Sequence, residues 1–297
     1  MLQLQTKAPA RASTIAQPLL RACPACGRLT EHTHLYSIQN CTILRCAACG
    51  LGRTEAPAFE PARYYTDDYF TGQHADGYAD YRGAEAVLRQ EFARTVEFIR
   101  ARRDGGRLLE VGCAYGFFLQ EAKRHFDVAG IELAAEAAAN ARGAGLNVLT
   151  GVADEPTLAG LGSFDAIVML DVIEHLPDPR ETVRLLGRHL APGGIIVITT
   201  GDFGSPVARL CGRRWRLMTP PQHLWFFTPD SLSGLGRAAG LDCESVDHPW
   251  KIVPLSLVSF QLRRMLGLAQ RTQPGSGIGL PLNLFDAMRV VLRKPPA

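Results

Sequence analysis

The stretch that decides the fold is Arg107-Leu-Leu-Glu-Val-Gly-Cys-Ala-Tyr-Gly116. It starts as an apolar strand and ends in a turn that opens the next helix. The small residues Gly112, Ala114 and Gly116 predict a backbone that a ligand can approach closely, beside the start of that helix. Glu132 stands at the end of the next predicted strand, 20 residues after Gly112. A carboxylate at this position binds ribose hydroxyls in folds of the dinucleotide-binding type.

Strands and helices alternate outward from this stretch. Apolar residues recur at helical spacing from Gly83 to Ile99. The predicted strands are Arg107–Gly112, Asp127–Glu132, Leu146–Gly151, Phe164–Leu170, Gly194–Thr200, Leu241–Val246 and Leu284–Leu292. The predicted helices are Phe117–His125, Ala134–Ala144, Arg180–Leu190 and Pro229–Ala239. Regular alternation indicates an α/β fold with helices on both faces of a parallel sheet.

The same stretch resembles motif I of class I methyltransferases that use S-adenosylmethionine (SAM), where the pattern is E-x-G-x-G-x-G. Three further segments match that family in order, namely Gly151–Asp154, Phe164–His175 and Leu190–Ile195. The resemblance covers about residues 83–247 and implies a Rossmann-like seven-stranded sheet. Ala114 stands where the family usually has glycine, and we expect the loop to accept alanine through a negative φ.

The resemblance implies SAM as the cofactor and assigns roles at one edge of the sheet. Glu110, Gly112 and Gly116 would flank the methionine part, Glu132 would bind the ribose, and Asp154 would contact the adenine. Asp171 would begin the loop under the methyl donor. The residues expected to bind SAM are Glu110, Gly112, Cys113, Ala114, Gly116, Glu132, Leu133, Asp154 and Asp171.

Two of these assignments have a plainer alternative. Glu132 is then an ordinary strand-end carboxylate, and Asp154 is an N-cap for the helix that Glu155 opens. A nicotinamide cofactor is the competing interpretation of the glycine-rich loop. The Glu174-His175 loop and the Pro192-Gly193-Gly194 turn argue against it.

Two histidines are the candidate catalytic residues. His175 follows the fourth predicted strand, and His223 follows the fifth, so both fall at the edge where ligands bind in open α/β sheets. Histidine suits a general base near neutral pH. The alternative is that each histidine merely orders its own loop.

A metal-assisted variant rests on a second resemblance. Asp171-x-x-Glu174-His175 resembles the E-x-x-E-H metal ligands of magnesium-dependent ubiquinone-pathway and small-RNA 2′-O-methyltransferases. A later histidine completes the ligand set in the small-RNA enzymes, and His223 could take that place. The pattern also occurs in metal-free members, so the divalent ion is the alternative to base catalysis.

The N-terminal cysteines predict a zinc ribbon. Cys23-Pro-Ala-Cys26 and Cys46-Ala-Ala-Cys49 are two CxxC knuckles, which together offer four thiolates to one tetrahedral ion. A shell closed by Cys23, Cys26, Cys46 and Cys49 has no open position, so the zinc would be structural. The alternatives are reduced, unligated cysteines or an iron–sulfur cluster.

These motifs divide the chain into five predicted parts. They are a flexible arm (1–22), the zinc ribbon (23–50), a Tyr-rich connector (51–82), the SAM-binding domain (83–249) and an accessory segment with the final strand (250–297). No apolar run suits a signal peptide or a membrane span, so a cytoplasmic location is expected. The segment from Trp250 to Leu280 is predicted to be an accessory lid or a lipid-facing element. The alternative is a helix that covers the sheet or forms a dimer seam.

The acceptor is expected to be a small molecule or a glycan. Zinc-ribbon methyltransferases with a Tyr-rich connector resemble enzymes of bacterial surface-polysaccharide, sugar and natural-product pathways. The net charge of +3 disfavours a nucleic-acid partner. The alternatives are an RNA base methyltransferase whose ribbon contacts RNA, and a SAM-binding protein without catalysis.

Overall fold

The computed structural model describes residues 19–56, 60, 81–255, 258–259, 263 and 279–296. Its helices are α1 (Glu85–Arg100), α2 (Phe117–Ala122), α3 (Ala135–Gly143), α4 (Glu155–Ala159), α5 (Pro179–Arg188), α6 (Pro206–Cys211) and α7 (Pro229–Ala238). Its first strands are β1 (Leu19–Cys23), β2 (Arg28–Ile38), β3 (Cys41–Cys46) and β4 (Gly52–Glu55). The later strands are β5 (Arg107–Val111), β6 (Asp127–Glu132), β7 (Asn147–Thr150), β8 (Phe164–Leu170), β9 (Leu190–Gly201), β10 (Trp225–Phe226), β11 (Asp242–Asp247), β12 (Lys251–Pro254), β13 (Gly279–Leu282) and β14 (Ala287–Arg293).

The central sheet has seven strands in the order β11-β14-β9-β8-β5-β6-β7. Strands β5 to β9 run parallel, and β14 enters antiparallel between β9 and β11. Alternate residues of these strands face opposite layers of core, with Leu109 and Ile167 on one side and Leu108 and Val168 on the other. The predicted α/β sheet covered on both faces is therefore confirmed.

The predicted and observed bounds of the elements agree best for the buried parallel strands. Strands β6 and β8 have the predicted bounds. Strand β9 starts at Leu190, earlier than predicted, because the Pro192–Gly194 turn forms an irregularity where its pairing with β8 shifts register. Helix α2 ends at Ala122, before the predicted His125.

The N-terminal strands form a second sheet, in the order β1-β2-β3-β4-β10. Its last strand, β10, lies about 170 residues after β4 in the chain and belongs to the segment that follows β9. The ribbon therefore completes its sheet with a strand of the larger domain.

The segment after β11 forms a separate hairpin. Strand β12 pairs antiparallel with β13, which places Ile252 and Val253 in a strand, so a helix over these two residues is wrong. Most of residues 256–278 lie outside the described residues. Among the helices that are described, none has the length and apolar character to cross a membrane.

The connector before α1 is described only at its end. Tyr81 is buried and stacks on Phe117, with ring centroids 5.5 Å apart. The other connector aromatics from Phe59 to Tyr78 lie outside the described residues. Tyr81 thus packs beside the loop between β5 and α2.

Candidate active site

The loop between β5 and α2 has three residues in the left-handed region. Gly112, Ala114 and Gly116 have φ values of 76°, 47° and 76°. The predicted negative φ for Ala114 is therefore wrong. The amide of Ala114 donates to Oε2 of Glu132 at 2.7 Å, and this bond holds the alanine in a conformation that costs roughly 1–2 kcal/mol for a residue with a Cβ.

The two glycines of this loop are required by protein packing. A Cβ on Gly112 would lie 2.6 Å from Cγ2 of Val172, and a Cβ on Gly116 would collide with Leu146. The sequence predicts that these small residues leave room for the ligand, and that stays a prediction. The structure adds a second reason, because the atoms nearest to an added Cβ belong to the chain itself.

Glu132 holds the loop from the end of β6. Both of its carboxylate oxygens are engaged, one by the Ala114 amide and the other by the Ala134 amide at 2.8 Å. Burial raises the pKa of Glu132, although these amide donors oppose the shift. The carboxylate is therefore a loop anchor, and its bond to a ribose stays a prediction.

Glu110 is a buried carboxylate with unused hydrogen-bonding capacity. One of its oxygens has no hydrogen-bond partner among the described residues. Burial, and then the negative charge of Glu132, raises the pKa of Glu110 well above its ordinary value. A ligand that brings positive charge to this loop would relieve both effects, and SAM carries a sulfonium and an ammonium group. The residues present therefore fit SAM.

The remaining predicted cofactor residues have distinct environments. Cys113 is buried, and its sulfur packs against Gly130. Leu133 is half-buried directly after β6. Asp154 caps α4 by accepting the Thr157 amide at 3.0 Å, as the plainer alternative anticipates. Its contact with adenine stays a prediction.

Asp171 opens the turn after β8 with a φ of 55°. Its carboxylate accepts the Thr199 hydroxyl at 3.1 Å and forms an ion pair with Lys251 at 3.0 Å. Lys251 lies on β12, so the hairpin contacts the carboxyl edge of the sheet. Lys251 is not predicted from the sequence, because a single lysine in an apolar segment gives no motif.

The two candidate catalytic histidines are adjacent. The rings of His175 and His223 meet edge to face, with centroids 4.7 Å apart. His175 Nδ1 lies 3.0 Å from the carbonyl oxygen of Gln222, so Nδ1 carries the proton and Nε2 holds the lone pair. Burial lowers the pKa of His175 to about 4. The imidazole is thus neutral at pH 7.

Glu174 joins the histidines in a cluster with metal-ligand chemistry. Potential ligand atoms of Glu174, His175 and His223 all lie within 4.8 Å of one another. Burial, and then the negative charge of Asp171, raises the pKa of Glu174 to about 8. Asp171 does not belong to this cluster. Asp171 stands at the first position of the E-x-x-E-H metal-ligand pattern, and its carboxylate pairs with Lys251 instead.

The four ribbon cysteines also converge. The sulfur atoms of Cys23, Cys26, Cys46 and Cys49 lie within 4.8 Å of one another. Gly27 and Gly50 follow the two knuckles with φ values of 69° and 74°, which closes the tight turns. Four sulfurs at this separation fit a tetrahedral zinc ion.

Comparison with known proteins agrees with this geometry. The model of a methyltransferase domain family matches residues 84–246. The chain belongs to this methyltransferase family. It is a class I SAM-dependent methyltransferase with a seven-stranded sheet.

Curated relatives carry the name ubiquinone biosynthesis O-methyltransferase. The protein of Xanthomonas axonopodis pv. citri (strain 306) is 32% identical over 176 residues, which cover 52% of this methyltransferase and 73% of the relative. The protein of Methylococcus capsulatus (strain ATCC 33009 / NCIMB 11132 / Bath) is 27% identical over 191 residues, which cover 59% of this methyltransferase and 81% of the relative. A SAM-dependent methyltransferase from Archaeoglobus fulgidus shares the fold with a TM-score of 0.51 at 16% identity, covering 76% of this chain and 98% of that one.

Proposed function

We propose that this methyltransferase transfers the methyl group of SAM to a hydroxyl oxygen or an acidic carbon of a small-molecule or glycan acceptor, with base assistance from His175 and His223. The observation that carries the proposal is the contact between these two rings at the carboxyl edge of the sheet, beside the ends of β8 and β9. The O-methyltransferase names of the relatives support oxygen as the atom methylated.

The chain's own residues would orient the reactants and take up a proton. SAM, when bound, supplies a methyl group on a sulfonium, which is a good leaving group. Glu110 would meet the positive charge of the methionine part, and Glu132 holds the loop around it. Nε2 of His175 would accept the proton of the attacking group, because Nδ1–H is committed to the Gln222 carbonyl. Positioning supplies much of the remaining rate.

Methyl-labelled SAM tests this proposal with a panel of phenols, catechols and sugar nucleotides, and with RNA as the competing acceptor. We expect mass spectrometry to find products one methyl group heavier in the small-molecule panel. His175→Ala and His223→Ala should each lower turnover by about 10²–10⁴ if that residue is the base. The exposed His125 provides the control, since His125→Ala should leave turnover unchanged. Full activity in both active-site variants, or label found in RNA alone, would contradict the proposal.

A metal-assisted version is the second candidate, because Glu174, His175 and His223 form a three-ligand cluster. A divalent ion there would hold the acceptor oxygen and lower the pKa of its hydroxyl. Activity that is lost in EDTA and returns with Mg²⁺ or Mn²⁺ would favour this version. Return with Zn²⁺ alone would indicate that EDTA acted on the ribbon.

For the ribbon we propose one structural zinc ion per chain on Cys23, Cys26, Cys46 and Cys49. The convergence of the four sulfurs supports it. Metal analysis of the purified protein should find about one equivalent of zinc. Stoichiometric iron, or no metal, would contradict the assignment.

A further inference from the structure

The ribbon makes direct hydrogen bonds to the segment that carries His223. Residues Trp225 and Phe226 of β10 pair with Arg53 and Gly52 of β4. Next to them, the Thr54 amide donates to the Leu224 carbonyl at 2.9 Å. The Thr54 hydroxyl donates to the carbonyl of His223 at 2.6 Å. Thr54 is buried, so water does not compete freely for these bonds.

The same segment bonds on its other side to the turn that carries His175. The Leu224 amide donates to the Glu174 carbonyl at 2.8 Å, and the indole N–H of Trp225 donates to the Leu176 carbonyl at 2.8 Å. His175 Nδ1 donates to the Gln222 carbonyl. Residues 222–225 therefore lie as a strip between the ribbon and the His175 turn, and a shift of the strip moves both imidazoles.

The metal knuckles themselves dock on helices of the catalytic domain. The Thr228 hydroxyl donates to the Cys49 carbonyl at 3.3 Å, and Arg180 donates to the Pro24 carbonyl at 2.8 Å. Buried Cys23 and Cys46 belong to the same apolar core as residues of α5 and α7. The ribbon consequently contacts the catalytic domain at both knuckles as well as along β4.

We propose that the ribbon is a positioning part of the acceptor site, in which Thr54 sets the backbone of His223 and thereby the geometry of the His175–His223 pair. This inference rests on the proposed function of that pair. The four-cysteine site would hold β4 in register, and Thr54 would transmit that register to the strip. Thr54 acts through its neighbours and is a positioning residue.

The test compares Thr54→Val, which removes the hydroxyl and keeps the branched shape, with Thr54→Ser, which keeps the hydroxyl. Thr42→Val, on the adjacent strand β3 of the full-length protein, is the matched control. We expect Thr54→Val to shift the imidazole NMR signals of His175 and His223, while those of His125 and His189 stay in place. Amide exchange at Leu224 should accelerate up to about tenfold, which corresponds to the loss of one hydrogen bond.

In Thr54→Ser and in the control Thr42→Val, the imidazole signals of His175 and His223 should keep their wild-type positions. Zinc content should stay at one equivalent, and the affinity for S-adenosylhomocysteine should stay within about twofold, because these variants change no residue of the loop between β5 and α2. Unchanged imidazole signals and unchanged exchange in Thr54→Val would overturn the inference.

Thr54→Ala provides a second variant should Thr54→Val fail to fold. It removes the same hydroxyl donor to the His223 carbonyl and should move the same two imidazole signals. Unmoved signals in this variant would overturn the inference as well. None of these readouts requires an acceptor. Full activity of His175→Ala and His223→Ala would therefore refute the proposed function without changing the outcome for the ribbon.

Discussion

In the loop between β5 and α2, the glycines predicted from the cofactor motif also meet a packing requirement within the chain. The glycine positions follow from the sequence pattern, yet the atoms nearest to Gly112 are those of Val172, and the atoms nearest to Gly116 are those of Leu146 and Ala141. Each neighbour lies far along the chain from the glycine it contacts, so no local sequence pattern reveals the contact. Ala114 likewise adopts a positive φ because Glu132, 18 residues later, bonds its amide.

Packing around Gly112 leads to a prediction about its replacement. Gly112→Ala should weaken SAM binding and lower stability, because the new Cβ lies 2.6 Å from Val172 and the φ of 76° is strained for alanine. Val172→Ala in the same chain should recover part of both losses by removing the clash. Isothermal titration and thermal unfolding measure the two effects. If the double variant is no better than Gly112→Ala, ligand space and not Val172 sets the requirement for glycine.

The environment of His175 leads to a prediction about pH. Burial lowers its folded pKa to about 4, so the proton-accepting form persists well below the ordinary histidine value. We expect the acid limb of kcat to lie near pH 4 to 5. Between pH 6.5 and 4 the unfolded chain binds more protons at this residue, so its contribution to stability falls as the pH drops through that window. NMR titration of the imidazole checks the pKa, and an acid limb near pH 6.5 would contradict it.

At the scale of elements, a strand can be predicted from sequence when its own residues carry the pattern, and not when it depends on a partner that is distant in the chain. Strands β6 and β8 are buried apolar runs between turns, and their bounds follow from sequence. Strand β10 has two residues, and its partner β4 lies far back in the chain, so periodicity carries no signal for it. The histidines could be selected because each follows a predicted strand, whereas Thr54 and Lys251 reach the same edge through pairings that sequence does not encode locally.

The hairpin β12–β13 leads to a prediction about acceptor binding. The Ile252 amide donates to Glu91 of α1 at 2.9 Å, while neighbouring Lys251 pairs with Asp171, so the hairpin connects α1 with the turn before His175. Lys251→Met should raise the acceptor KM by up to about fivefold, since a partly exposed pair is worth at most about 1 kcal/mol. Arg184→Met, which removes the exposed pair with Glu181, is the control. An unaltered KM in Lys251→Met would show that the pair does not order the turn.

At the scale of the whole molecule, the ribbon and the catalytic domain share one apolar core. Cys23, Ala25 and Leu51 pack in the same cluster as Phe227 and residues of the central sheet. A shared core of this kind implies that the two parts unfold together. The knuckle motif ends at residue 50, so the sequence pattern predicts a boundary there. The pairing of β4 with β10 joins the two parts across that boundary.

This shared core leads to a prediction about zinc. We expect calorimetry of the zinc-bound protein to show one cooperative transition, and Cys46→Ser to lower the temperature of that whole transition. The loss arises because the ion stabilises the folded state that binds it, and binding energy at such a site is folding energy. Cys211→Ser, which alters a half-buried cysteine outside the ribbon, is the control and should shift the transition little. Two separate transitions, with Cys46→Ser affecting the smaller one alone, would show that the ribbon folds as an independent unit.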